Sequence, residues 1–470
     1  MTVPLIDSLA STEALAEIFS DRSLLQAMLD FEIALARVQA RLGIISRSAA
    51  SAIAATANAG AFDIANLSRD TLRAGTPGIP LIKALIEIVK AKNPAAASFV
   101  HYGATSQDVA DTAIILLLKR AQPIIRTDLV RVEQGLQNLA EKHRQTLMLG
   151  RTLLQPAPPI TFGLKAAGWF AAVRRGRQQL EANFAEALTL QFGGAAGTLA
   201  ALNDKGHIVA EELAEELGVH CPAAPWHTHR DRLAHLICAC GVLVGTLGKI
   251  ARDVSLLMQS EIGEVAEPTS PGRGGSSTMP HKKNPVACAV TLAAANRMPG
   301  LVASFLSGMV QEHERGVGGW QSEWPTIADA IQATGSAAAA VAEIAEGLTV
   351  HRDKMRRNLD DTRGTIYAEK AMILLTGKIG RDRAHKVVEE AVSESRTRGC
   401  SLSELLAGIP EVTKYLSRDV LDRLDQAGDY LGSAEIFRKR QVAADSPARN
   451  KSLRKKKRNQ NPHTNRKKRG

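Results

Sequence analysis

Apolar residues recur along most of this chain at the three- and four-residue spacing of a helix buried on one side. The clearest run follows Asp231, where Leu236, Cys240, Leu243, Leu247, Ile250, Val254 and Leu257 alternate spacings of four and three, a heptad seam. It predicts a helix over 231–260, about 45 Å long at ~1.5 Å per residue, which requires long partners. The pattern supplies them at 108–143 (broken at Pro123), 157–190, 286–315 (broken at Pro299) and 327–358, each Ala/Leu-rich with Gly or Pro at its borders. Shorter helical patterns cover 12–42, 46–57 and 82–91, and a further set runs from about 358 to 437. No alternating run longer than a few residues suggests a strand. The expected fold is therefore all-α: an elongated central bundle of five long helices (106–358) between an N-terminal helical domain (1–105) and a C-terminal one (359–440). Alanine-rich stretches such as 337–340 let helices approach closely but bury little area each, so such a bundle gains further burial by forming a homo-oligomer.

Composition changes this picture in one place. The 470 residues are 45% hydrophobic and 23% charged, with 37 Gly and 19 Pro, which excludes collagen-like and low-complexity classes for the chain as a whole. Of the net charge of +11, ten units sit in 441–470, where eleven Lys and Arg face one acid, Asp445. That segment, with almost no large apolar residue, reads as a basic disordered tail. It is open to two readings, a tether for nucleic acid or another anionic surface and an extension without a role. The folded body is nearly neutral, which makes nucleic acid an unexpected partner for it. The N-terminus has no basic stretch before an apolar one and does not read as a signal peptide. The longest apolar stretch, 233–248, is short of the ~20 residues of a membrane span, so no membrane association is expected. Five cysteines without a CxxC pair suggest neither a disulfide framework nor a zinc site and fit the cytoplasm. Neither GxGxxG after a strand nor GxxxxGK[ST] is present, which removes dinucleotide and P-loop readings.

The most informative stretch lies between two of the long helices, 271–285, PGRGGSSTMPHKKNP. Its glycines leave backbone amides free to face an anion, Lys282 and Lys283 add positive charge, and such a loop can open and close over a substrate. Composition alone equally allows a surface loop with incidental charges.

The run GSSTMPHKKNP (275–285) resembles the signature loop of the fumarase/aspartase superfamily. Further blocks agree in order: HYGATSQD (101–108), GRTLLQPAPPITFG (150–163), QFGGAAGTL (191–199) and QEHERGVGGW (311–320). The resemblance spans roughly 1–437. Within the superfamily, PWHTHRD (225–231), HERGVGGWQSEW (313–324) and YLGSAEIF (430–437) are most similar to the bacterial branch that interconverts 3-carboxy-cis,cis-muconate and a carboxymuconolactone in the protocatechuate branch of aromatic degradation.

That resemblance implies an all-α homotetramer with active sites shared between subunits, a small polycarboxylate as substrate, and no cofactor or metal. By motif position, Ser276 corresponds to the catalytic serine of the mobile loop. Lys282 supports catalysis by stabilising charge, and Lys282 and Asn284 hold a substrate carboxylate. A free hydroxyl is a very weak acid, so Ser276 can exchange a proton with carbon only where loop amides and Lys282 stabilise its alkoxide. Thr105 and Ser106 precede a helix whose N-terminus could bind a second carboxylate, N-capping being the other explanation. His101, Thr152 and Arg315 complete the implied binding set, Arg315 because a guanidinium offers two parallel donors. His227 and His229 leave a metal reading open, at a spacing that offers only two ligands. One departure is informative: most lyases of the superfamily have a His where this chain has Leu153. Leucine cannot assist a leaving group, whereas opening a lactone releases a carboxylate that is already stable as an anion. The position therefore speaks for lactone chemistry and against an adenylosuccinate-lyase-like enzyme, the nearest enzymatic alternative. A non-catalytic, nucleic-acid-tethering protein is the alternative of another class.

Overall fold

The computed structural model describes residues 5–269, 274–275, 278–279 and 282–443. The fold is all-α, and five helices of 23 to 37 residues make up the middle of the chain: Ser106–Lys142, Phe162–Ala187, Asp231–Leu257, Val286–Gly308 and Gly319–Gly347. The heptad seam is core throughout, with Leu236, Cys240, Leu243, Leu247, Ile250 and Val254 at 0–1% exposure.

Several expected boundaries move, each for a local reason. The 12–42 pattern divides into Glu13–Ile18 and Asp21–Arg41, because Ser20 takes an extended conformation and accepts the Ser23 N–H on its side chain. Pro123 and Pro299 do not break their helices. Around Pro123 the fully buried Ala121, Ile125 and Leu129 hold the helix on course, offsetting a proline penalty of about 3 kcal/mol. The last long helix starts at Gly319 and ends at Gly347; a short strand, Thr349–Val350, pairs with Val265–Ala266 before the Arg352–Asp360 helix begins. Residues 157–161, expected to be helical, lie in a hairpin of Leu147–Thr152 with Gln155–Thr161, antiparallel in register Leu147↔Thr161 to Thr152↔Gln155. A bulge at Leu149/Gly150 interrupts it; a Cβ on Gly150 would lie 2.3 Å from the Pro158 carbonyl oxygen, so only glycine fits.

The apolar helices run longer than the 233–248 stretch suggests. Asp231–Leu257 and Val286–Gly308 are both long and apolar enough to cross a membrane, but 61% of the most apolar window of the first is buried inside the protein, as in a core helix. In the second that share is only 28%.

The chain forms two compact units. Among the described residues the first comprises those of 5–132, 173–255 and 267–347, the second those of 133–172, 256–266 and 348–443. In the first, one apolar cluster unites Asp21–Arg41, Arg47–Thr56, Gly78–Lys92 and Gly206–Leu217 with the start of Ser106–Lys142. In the second, the core gathers Ala368–Ile379, Arg381–Arg398 and Leu402–Ala407 around Tyr367 and Leu375. The basic tail beyond 443 lies outside the described residues.

Candidate active site

Four of the sequence blocks meet in the first unit, at the N-terminus of Ser106–Lys142. Asp108, fully buried in the first turn, is their junction. Its Oδ1 accepts from Gly193 N–H at 3.0 Å, from Gln191 Nε2 at 3.3 Å and from His227 Nε2 at 2.8 Å; its Oδ2 accepts from Gly194 N–H at 2.9 Å and from Thr105 N–H at 3.1 Å. The last of these is half a capping box, a third-position carboxylate reaching back to the residue before the helix. Gly193 is required here, since a Cβ would meet Pro225 at 2.6 Å and the His227 ring at 2.8 Å.

Thr105 and Ser106 therefore stand on a fixed platform. The Thr105 hydroxyl accepts from Arg315 Nη1 at 2.8 Å, while Nη2 of the same guanidinium reaches the Ala195 carbonyl at 2.9 Å and that of Gly194 at 3.4 Å. Arg315, expected as a carboxylate clamp, thus orients Thr105 and the glycine-rich segment. The Ser106 hydroxyl has no hydrogen-bond partner among the described residues, and the helix N-terminus below it favours an anion. His101 is also in this unit, in a left-handed conformation (φ 59°), with Nδ1 at 2.6 Å from Oε1 of the buried Glu32. Burial opposes charge on the imidazole, but the Glu32 charge and hydrogen bond outweigh it and raise the His101 pKa. Its neighbour Tyr102 is held by Gln39 Nε2, which donates to the Tyr102 carbonyl at 2.7 Å.

Behind this platform lies a buried ion network that motif reasoning did not anticipate. Arg230, 1% exposed, bonds Asp111 through Nη1 at 2.7 Å and Glu323 through Nη2 at 2.6 Å and Nε at 2.9 Å. Trp320 Nε1 donates to Asp111 at 2.8 Å, Gln107 Nε2 to Asp111 at 3.1 Å, and Gln311 Nε2 to Glu323 at 2.8 Å. Two carboxylates share one guanidinium, so with both ionised the trio would carry one surplus negative charge in the core. Burial, reinforced by Asp111 and opposed by Arg230, pushes the Glu323 carboxyl up to about 7. The clue in the sequence is that Asp108 and Asp111 stand three apart on one helix face, just before the wholly apolar run 113–118. His227 spends Nε2 on Asp108, and among the described residues no group of three His, Cys, Asp or Glu side chains is placed to hold a metal.

The signature loop is anchored at both ends. Before it, the Glu267 carboxylate accepts the Ala287 and Cys288 N–H groups at 3.0 and 2.8 Å, capping the following helix. Within it, Asn284 N–H donates to the Gly274 carbonyl at 2.8 Å and Asn284 Nδ2 to that of Gly275 at 3.4 Å. Asn284, expected on a substrate carboxylate, thus also closes the loop on itself. Lys282 is exposed, and Ser276 lies outside the described residues. Thr152 belongs to the second unit, exposed beside the hairpin turn, where Leu153 is 97% and Leu154 74% exposed. The hairpin is secured by Arg151, whose guanidinium forms a two-pronged pair with the buried Glu264 at 2.7 and 3.0 Å.

A family model described as lyase matches residues 9–300, and one described as adenylosuccinate lyase C-terminus matches 364–440. The chain belongs to the fumarase/aspartase superfamily of lyases. Among its relatives in that superfamily, a 3-carboxy-cis,cis-muconate cycloisomerase of Bradyrhizobium diazoefficiens is 47% identical over 92% of this chain and 96% of its own. The crystal structure of the 3-carboxy-cis,cis-muconate lactonizing enzyme from Pseudomonas putida superposes with a TM-score of 0.87 at 44% identity, covering 93% of this chain and 98% of that one. A nitrosuccinate lyase of Streptomyces davaonensis is 43% identical over 88% of this chain and 89% of its own. The superfamily scaffold thus serves more than one reaction at nearly equal identity, and the site chemistry must discriminate.

Proposed function

We infer that this chain is an intramolecular lyase that interconverts 3-carboxy-cis,cis-muconate and a carboxymuconolactone. The observation that carries the reading is the convergence of 101–108, 191–199, 225–231 and 311–324 on the Asp108 junction, together with the similarity to muconate cycloisomerases over nine-tenths of the chain. In the lactonising direction a carboxylate oxygen of the substrate attacks the substrate's own double bond. The new C–O bond forms as the π pair moves to the carbon beside another carboxylate, giving an aci-carboxylate, and that carbon takes up one proton. One carboxylate charge is lost to the lactone, one proton is consumed, and the reaction so written calls for no electron carrier.

The site must hold negative charge and place one proton donor. Ser106, Thr105 and the helix N-terminus suit one carboxylate, with His101 beside them. Lys282 and Asn284 serve a second carboxylate and the developing charge, and Ser276 delivers the proton to carbon. Thr152 and Leu153, at the exposed hairpin tip, are offered to a neighbouring copy, and we place the working site between subunits of a homotetramer. The five free cysteines suit a reducing compartment, and we place this soluble enzyme in the cytoplasm.

Loss of ultraviolet diene absorbance on mixing purified protein with 3-carboxy-cis,cis-muconate tests the activity, with adenylosuccinate and nitrosuccinate in parallel. Turnover of either of those, with the muconate untouched, would reassign the reaction. Ser276→Ala is expected to lower turnover by about two to four orders of magnitude with the fold intact, as for loss of an acid/base group; near wild-type turnover in a folded variant would remove Ser276 from the mechanism.

A further inference from the structure

The Ser106–Lys142 helix ends in the second unit at a concave patch that the reaction above does not use. A cavity of about 430 Å³ lies there, lined by Lys142, Arg144, Arg352 and Arg356 with Glu141 and Asp353. Not all of this charge is free. Glu141 is held by Arg438 Nη1 at 2.6 Å, and Arg356 pairs with Asp360 at 2.8 Å. Lys142, Arg144 and Arg352 are exposed and have no ion-pair partner among the described residues, so three free cations face one free acid, Asp353. Arg352 and Asp353 also open the nine-residue Arg352–Asp360 helix, whose preceding residue His351 makes no side-chain cap. Its first N–H groups therefore have no side-chain acceptor at the helix start.

A buried neighbour registers the local field. His143, 3% exposed, has Nδ1 at 3.1 Å from Thr146 Oγ1 and stacks edge-on to Phe162. Its imidazole pKa is pushed down to about 4, chiefly by burial and then by the charges of Arg352 and Lys142.

We propose that this cavity is a second anion site, which takes a small multivalent oxyanion, a phosphate or a di- or tricarboxylate, on Lys142, Arg144 and Arg352. The inference does not depend on which reaction the enzyme catalyses. The volume admits a small molecule of that class, free guanidinium groups match its oxygens in pairs, and an uncapped helix start adds neutral donors. Occupancy would be felt inside the protein, because an anion offsets the smaller part of the His143 shift, the part that comes from Arg352 and Lys142.

Isothermal titration calorimetry of the full chain with inorganic phosphate and with citrate, at fixed ionic strength, tests the site against an Arg144→Gln/Arg352→Gln variant. Both positions are exposed and lie outside the catalytic set, so the variant should keep its turnover of muconate. Saturable binding to the wild type that weakens at least tenfold in the variant is the expected result. Phosphate and citrate distinguish the two sources: the one whose binding the variant loses is the class the site takes. In parallel, the imidazole carbon signal of His143 should titrate at higher pH with the bound anion than without it. Equal binding to both proteins, or heats that never saturate and follow ionic strength alone, would overturn the proposal and leave a solvated basic face.

Discussion

Arg230 holds the buried ion network together. Its guanidinium is the only positive charge bonded to Asp111 and Glu323 among the described residues, and all three are removed from water. Replacing it by Met would strand two carboxylates in the core, so Arg230→Met should destabilise by about 3–5 kcal/mol. Denaturant unfolding followed by circular dichroism measures it; a loss under 1 kcal/mol would mean that the carboxylates find water. The surplus charge gives a pH signature of its own. Glu323 holds its proton up to about 7 when folded, whereas an unfolded glutamate releases it near pH 4.3. Between those values the folded state binds more protons, so the stability contributed by this group is complete below pH ~4.3 and falls as pH rises to about 7. Glu323→Gln should flatten that part of the profile while keeping the Gln311 and Arg230 neighbours in place. An unchanged slope between pH 5 and 7 would show that the proton resides elsewhere in the network.

At the scale of elements, the hairpin turn is the least comfortable piece of backbone. Leu153 and Leu154 are its two central residues, both left-handed at φ 49° and 64°, and both exposed. Turns of this kind favour Asn-Gly, because a side chain with a Cβ costs about 1–2 kcal/mol per residue there. Leu153→Asn/Leu154→Gly should therefore raise the melting temperature in calorimetry, and its turnover tests whether the leucines matter in the site. Raised stability with lost lactonisation would mean that the apolar tip is kept for the reaction; unchanged turnover would make Leu153 a mere wall and weaken the argument from the missing histidine. The same turn shows why the hairpin was not legible in advance. Pro156, Pro158 and Pro159 and the Leu-Leu pair carry none of the usual strand and turn signals, and pairing with Leu147–Thr152 is visible only once the chain is folded. The heptad seam, by contrast, was legible residue by residue, because helical burial depends on local spacing alone. In the candidate site, Thr105, Ser106 and Arg315 could be proposed from their motif. Their supports could not, since Asp111, Arg230 and Glu323 look like ordinary surface charges until three distant segments bring them together.

For the molecule as a whole, the exposed apolar surface calls for a partner. In Val286–Gly308 only 28% of the most apolar window is buried, and Val242 on the heptad helix is 71% exposed beside a fully buried Leu243. A soluble protein rarely leaves such helix faces in water, and packing them against copies of themselves buries them without new sequence. Four copies of a 50.3 kDa chain would give about 200 kDa by light scattering. Val242→Glu should shift that mass downward, since it places a charge on a face expected to lose its water. If the working site is shared, turnover should fall with the mass. Mixing decides whether the sharing is real. Ser276→Ala and Thr152→Ala, unfolded together and refolded as mixed assemblies, should show more activity than the average of the two parents, because some sites then draw both intact residues from different chains. Activity equal to that average would place both residues of each site on one chain and leave the oligomer a matter of burial alone.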